Sequence, residues 1–133
     1  MSLDPRSLRY SREHEWLALD EGAEDAALIG ITDFAQTELG DIVYIDLPAA
    51  GAEVKQFEKF GEVESVKSVS DLFSPISGEV VETNAILEDK PERVNEEPYG
   101  DGWMLRLRLA DRRELDSLLS LEEYEQFLES EAG

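Results

Sequence analysis

Between positions 61 and 72 the chain sets a single base, Lys67, midway between two short valine-bearing runs, GEVES before it and VSDL after it. Val63, Val66, Val69 and Leu72 alternate with Ser and Glu as in a half-buried ribbon, which predicts an antiparallel hairpin with Lys67 at its tip. A two-residue loop of the primed type wants Asn-Gly or a leading Gly, and Lys67-Ser68 offers neither. A type I turn or a looser loop is therefore expected, and in both the ammonium points into water. Glu62, Glu64 and Asp71 surround the base, while Gly61 and the SPISG run at 74–78 punctuate the ends. A lysine so placed is either a gatekeeper charge on an edge hairpin or a shape that another protein reads.

The rest of the composition limits what such a hairpin belongs to. At 133 residues the chain reads as one domain, 1–133, able to bury about two-thirds of its unfolded surface in one core. Within it we expect a leader at 1–9, a β-rich core at 10–109 and C-terminal helices at 111–130. The absence of cysteine excludes disulfides and thiol nucleophiles, and a single histidine excludes His-rich metal cages. Twelve basic against thirty-two acidic residues give a net charge of −20, so nucleic acid and anionic membrane surfaces would repel the chain and partners should present basic faces. The acids are spread along the chain, as on a solvated folded surface rather than a disordered tail.

No apolar run is long enough for a membrane span, and the N-terminus carries no apolar signal core. Arg6, Arg9 and Arg12 lie among serines but are interrupted by Asp4 and Glu13, which reads as a short leader strand. These features favour a bacterial cytoplasm, though a trimmed mitochondrial matrix protein would look alike.

Residues 14–19 and 26–31 form two strand-like runs joined by a polar, Gly-bearing 20–25, a hairpin signature. Thr32 or Asp33 is placed to cap a two-turn helix through Phe34, Ala35 and Leu39, which Gly40 would end. Residues 42–47 are dense in β-formers and halt at Pro48, and another short strand is expected around Val54. The runs GEVE at 61–64 and GEVVE at 78–82 resemble each other, which hints at two similar halves facing one another. Residues 84–102, rich in Pro, Gly and acid, are expected to be a long surface loop with Ile86, Leu87 and Val94 as anchors. Trp103, Leu105, Leu107 and Leu109 alternate with Met104, Arg106 and Arg108, which predicts a strand with Trp103 in the core. Beyond Asp111 the spacing of Leu115, Leu118 and Leu119 turns helical, and Ser120 with Glu123 forms a capping box ahead of Tyr124, Phe127 and Leu128. These last helices are expected to cover a sheet edge, completing a mainly β, α+β domain.

An enzyme needs a nucleophile, a base and a place for developing charge, and the candidates here are thin. His14 and Glu15 are strand neighbours expected to point to opposite faces, and no strand is followed by a Gly-x-Ser-x-Gly elbow or a phosphate loop. A carrier asks less: one lysine on a tight exposed turn, acylated by another enzyme.

The run ESVKSVSD at 64–71 resembles the lipoyl-attachment turn of the H proteins of the glycine cleavage system. Further motifs follow in that family's order: Tyr10-Ser11 with His14-Glu15-Trp16, Gly30-Ile31-Thr32, Leu39-Gly40-Asp41, Asp46-Leu47-Pro48, Ser77-Gly78-Glu79, Asn84, Val94-Asn95, Pro98-Tyr99 and Gly102-Trp103. The resemblance implies a lipoyl-type barrel-sandwich hybrid of two facing antiparallel sheets, with a short helix near 33–39. It implies a non-catalytic carrier whose Lys67 bears lipoic acid as N6-lipoyl-lysine. Val66 and Ser68 flank that lysine where related biotin carriers place Met.

In similar carriers the lipoate-attaching enzyme reads a Glu three residues before the lysine and a Gly eleven after it, which map to Glu64 and Gly78. The implied partners are a pyridoxal-phosphate glycine decarboxylase (P protein), an aminomethyltransferase (T protein) and a dihydrolipoyl dehydrogenase (L protein), visited by a monomer that shuttles the aminomethyl group of glycine. Glu15 and Asp71 map to the groove that holds the loaded arm. The same turn would also suit an H-like protein relaying lipoyl groups, or an acidic interaction module whose lysine stays unmodified.

Overall fold

Alternating branched and aromatic residues commit most of the chain to short strands, and turn residues between them fold those strands into two layers. The computed structural model describes residues 3–19 and 25–132. In chain order the strands are β1 (Arg9–Tyr10), β2 (Glu15–Leu19), β3 (Ala26–Ile31), β4 (Ile42–Asp46), β5 (Glu53–Val54), β6 (Lys59–Ser65), β7 (Val69–Phe73), β8 (Gly78–Thr83) and β9 (Leu105–Leu109). They build a six-stranded sheet ordered β1-β2-β3-β9-β8-β5 and a three-stranded sheet ordered β4-β6-β7, with antiparallel pairing throughout. The expected strands at 14–19, 26–31, 42–47 and around Val54 are all present. The loop predicted at 20–25 lies, apart from Asp25, outside the described residues.

Leu17, Ile29 and Leu107 from the larger sheet bury against Ile45, Val63 and Leu72 from the smaller one. The two GEV runs sit in different sheets, and Val63 and Val80 both reach this shared core. At each run the leading glycine is required by close approach. A Cβ on Gly61 would be driven into the carbonyl oxygen of Asp46, and one on Gly78 into that of Arg108.

Strand β2 is buried on both faces, which is why its sequence shows no clean alternation. Leu17 enters the sandwich, while Trp16 and Ala18 join Tyr10, Leu119 and Tyr124 in a second cluster. Trp16 is the fully buried tryptophan, and its Nε1–H donates to Pro98 O at 2.9 Å. Trp103, expected in the core, is only half-buried: β9 begins at Leu105, and it is Met104 that is buried, its N–H donating to Ile29 O.

Helix α1 (Asp33–Leu39) follows β3. Its first turn is capped by the Thr32 hydroxyl, which accepts from Ala35 N, and it ends at Gly40 with φ +78°. The stretch at 84–102 is not the loop its composition predicts. It holds two single-turn helices, α2 (Ile86–Asp89) and α3 (Arg93–Glu96), pinned by buried Leu87 and Val94. Asn84 ties its ends together by donating to Asp101 O and Trp103 O. After Asp111 the first helical segment is a 3-10 turn (Arg112–Ser117) rather than an α-helix, and Leu119 bridges to Tyr10 in extended backbone. Helix α4 (Leu121–Ala132) opens with the predicted box: Glu123 N donates to the Ser120 hydroxyl and Ser120 N to the Glu123 carboxylate. Tyr124 stacks on Tyr10 at 4.8 Å, so α4 covers the β1 edge of the larger sheet.

Candidate functional site

Strands β6 and β7 pair Glu62 with Asp71, Val63 with Ser70 and Glu64 with Val69, which leaves 65–68 to reverse the chain. Positive φ is found at no residue of this turn, so a primed hairpin loop is absent, as its side chains dictate. Ser65 closes it instead. Its backbone N–H donates to Ser68 O at 2.8 Å, and its hydroxyl accepts from Lys67 N at 3.1 Å and Ser68 N at 3.2 Å, replacing the usual carbonyl. A serine two residues before the lysine is the sequence signal for this closure.

The turn is also held from outside, by Val66 N donating to Asp41 O at 2.9 Å. Lys67 is exposed, and Val66 (67%) and Val69 (58%) beside it are more exposed than apolar side chains usually are. The lysine stem lies along the C-terminal end of α1. A Cβ on Gly40 would stand 3.1 Å from Lys67 Cε and 3.8 Å from Nζ, so the missing side chain is what makes room for the stem.

Along the same helix, from Phe34 to Leu39, lies a cavity of about 420 Å³. Helix α1 lines it with Phe34, Ala35, Glu38 and Leu39, β7 with Ser70 and Asp71, the head of β2 with His14 and Glu15, and α4 with Glu131. Glu15 and Asp71, predicted to share a groove, are thus brought to one cavity. Their environments differ. Asp71 is exposed and pairs with Lys59 at 3.2 Å, as a surface carboxylate does. Glu15 is 2% exposed. It accepts from the Ser11 hydroxyl at 2.8 Å and, across the sandwich, from Phe73 N at 3.3 Å. Loss of solvation outweighs these donors and pushes its carboxyl up to about 8.

His14 and Glu15 both border the cavity, yet their side chains go to different neighbours, the His14 ring to Tyr124 and Phe127 of the second cluster and the Glu15 carboxyl to β7. His14, with φ 70°, turns the chain one residue before β2 begins. The His14 ring lies 4.8 Å from that of Phe34, and its Nδ1 is 2.9 Å from the Tyr124 hydroxyl, which is 2.8 Å from Thr32 Oγ1. Burial holds this imidazole below its ordinary range.

Glu64 is exposed on the outer face of the small sheet, between Tyr44 and Val69. Gly78 is buried at the start of β8, against β9.

The family described as "Glycine cleavage H-protein" matches residues 8–131. A glycine cleavage system H protein of Carboxydothermus hydrogenoformans is 53% identical over 131 residues, covering 98% of each chain. That of Rubrobacter xylanophilus is 56% identical over 127 residues, 96% of each. Among solved structures, a glycine cleavage system H protein of Mycobacterium marinum superposes with a TM-score of 0.79 at 36% identity, over 92% of this chain and 97% of that one. With the lysine turn, the two facing sheets and the family's match over nearly the whole length in agreement, this chain belongs to the glycine cleavage H-protein family.

Proposed function

We infer that the chain is the lipoyl-carrying H protein of a glycine cleavage system, a carrier subunit rather than an enzyme, with Lys67 as the residue that bears lipoic acid. The observation that carries the assignment of Lys67 is its placement: an exposed amine on a braced turn, its stem bedded on Gly40 at the end of the helix whose other residues line the cavity. When bound, the dithiolane supplies a reducible disulfide able to take up the aminomethyl group of glycine. The chain's own part is geometric. Tethering raises the effective concentration of the group at each docked active site, and the rigid hairpin fixes where the tether starts.

Asp71 borders the cavity along β7, but its carboxylate lies on the outer face of the small sheet, paired with Lys59 at 3.2 Å, so any charge it offers a protonated amine is shared with that lysine. Burial pushes the Glu15 carboxyl up to about 8, so at neutral pH it offers a hydrogen-bonding carboxyl whose ionisation an arriving ammonium would favour, the proton passing to solvent. Glu64, three residues before Lys67 and exposed, is available to a lipoate-attaching enzyme. Gly78 is not, and its influence on attachment is exerted through the packing of β8 on β9. The partners we assign are the P, T and L proteins of the same system. Among the described residues no helix is long and apolar enough to cross a membrane, and the relatives above are bacterial, which supports a bacterial cytoplasm.

Intact mass after incubation with a lipoate–protein ligase, lipoate and ATP tests the assignment. One lipoyl adduct on the native chain and none on Lys67→Arg is expected. An adduct that survives in Lys67→Arg, or none on the native chain, would overturn it.

A further inference from the structure

The side-chain carboxamide of Asn95, in α3, makes two bonds to the segment that leads from α1 into β4 and one to α1 itself. Its Oδ1 accepts from Ile42 N at 2.9 Å, and its Nδ2 donates to Gly40 O at 2.8 Å and to Gln36 Oε1 at 3.0 Å. Gly40 and Ile42 are the two neighbours of Asp41, so one side chain pins the backbone on both sides of it. Asp41 O is the acceptor for Val66 N in the lysine turn, and Gly40 is the bed of the Lys67 stem. A carbonyl at a helix C-terminus and an N–H at a strand start are groups that otherwise turn to water, leaving the 40–42 backbone free to swing.

The other end of α1 is held by the same region. The Tyr99 hydroxyl accepts from Asp33 N at 3.0 Å, and buried Val94 anchors α3 to the core. We propose that Asn95 is a positioning residue for Lys67: acting through Gly40 and Asp41, it holds the lysine turn in the pose that an attaching enzyme must meet.

The inference rests on Lys67 being the acylated residue. In that reaction the carbonyl carbon of an activated lipoyl donor, lipoyl adenylate, forms an amide with Nζ. The acyl–phosphate bond breaks, AMP leaves with the electron pair, and the amine sheds its protons to solvent. Asn95 touches none of these atoms. Its effect falls on how often the turn is competent for docking, and a turn competent one-tenth of the time raises the carrier's apparent KM about tenfold without changing kcat.

The experiment compares the native chain with Asn95→Ala and Asn95→Asp. The second keeps an acceptor for Ile42 N and loses the donors to Gly40 and Gln36, so it serves where the alanine variant folds poorly. Two quantities are read: steady-state lipoylation by a lipoate–protein ligase with lipoate and ATP, and amide hydrogen exchange at Val66 and at Met104, whose N–H bonds to Ile29 O in the core. The expected result is a rise of about tenfold in the carrier KM with kcat within about twofold, and faster exchange at Val66 with Met104 held. Exchange rising equally at both amides marks a merely structural residue and overturns the inference, as does an unchanged KM. A native chain that gains no lipoyl mass overturns the carrier reading and this inference with it. A lipoylated native chain matched by its Asn95 variants overturns the inference alone.

Discussion

Glu15 couples the fold to pH through its burial. Burial pushes its folded-state carboxyl up to about 8 from an ordinary 4.5, so between those values the folded chain holds a proton that the unfolded chain has released. Stability from this group is therefore fully present below about 4.5 and is lost as pH rises through 8, by up to about 1.4 kcal/mol for each pH unit. In urea unfolding at pH 5.5 and 8.5, the native chain should lose more stability across the interval than Glu15→Gln. His14 is shared by both chains and cancels from the comparison; equal slopes would show that Glu15 is ionised in the folded protein.

Gly78 yields a different kind of prediction. Gly78→Ala forces a Cβ onto the Arg108 carbonyl, so unfolding should become easier by about 1–3 kcal/mol, the usual cost of overpacking. Lipoylation should then fall only as far as the folded fraction does. A Gly78→Ala chain that is fully folded yet unlipoylated would mean that the enzyme reads the glycine directly. Lys67 was legible from its neighbours because a turn tip is a local pattern. The burial of Glu15 was not, because β2 is covered on both faces, and a carboxylate at the head of a strand carries no local sign of the second layer that closes over it.

Among the elements, α4 shields the β1 edge through one side chain more than any other. Tyr124 stacks on Tyr10, and its hydroxyl joins His14 to Thr32, the residue that caps α1. Tyr124→Phe keeps the stack and removes the hydroxyl, which should cost about 1 kcal/mol. Tyr124→Ala opens a cavity beside Tyr10 and should cost about 3–5 kcal/mol, as aromatic truncations do. Urea midpoints separate the two, and a phenylalanine variant as unstable as the alanine one would place the main contribution in the hydroxyl chain. The capping box of α4 was readable because its residues lie three apart in sequence. Helices α2 and α3 were not, since a single turn is too short to show a helical period. What fixes α3 is long-range: Val94 in the core, and Asn95 reaching back to Gly40 and Ile42.

For the whole molecule, the two-sheet sandwich was visible through a resemblance spread over many short motifs, because no one strand's pattern says which sheet it joins. The charge of −20 was visible outright, and the fold adds where it sits. Across the outer face of the small sheet, Asp46, Glu62 and Asp71 stand side by side on β4, β6 and β7, with Lys59 bonded to the last two. Like charges directly opposite one another on neighbouring strands destabilise a sheet, and here they add to the self-repulsion of an acidic surface. Raising salt from 10 to 200 mM shortens the Debye length from about 30 Å to under 10 Å, so long-range repulsion fades while the close Lys59 pairs weaken less. The melting temperature should therefore rise with sodium chloride, by a few degrees if about 1 kcal/mol is recovered. Asp46→Asn, which dilutes the row without touching the Lys59 pairs, should raise the low-salt value and flatten the dependence. A melting temperature that falls with salt would mean that the attractive pairs outweigh the repulsion, and that the acid surface carries no cost in stability.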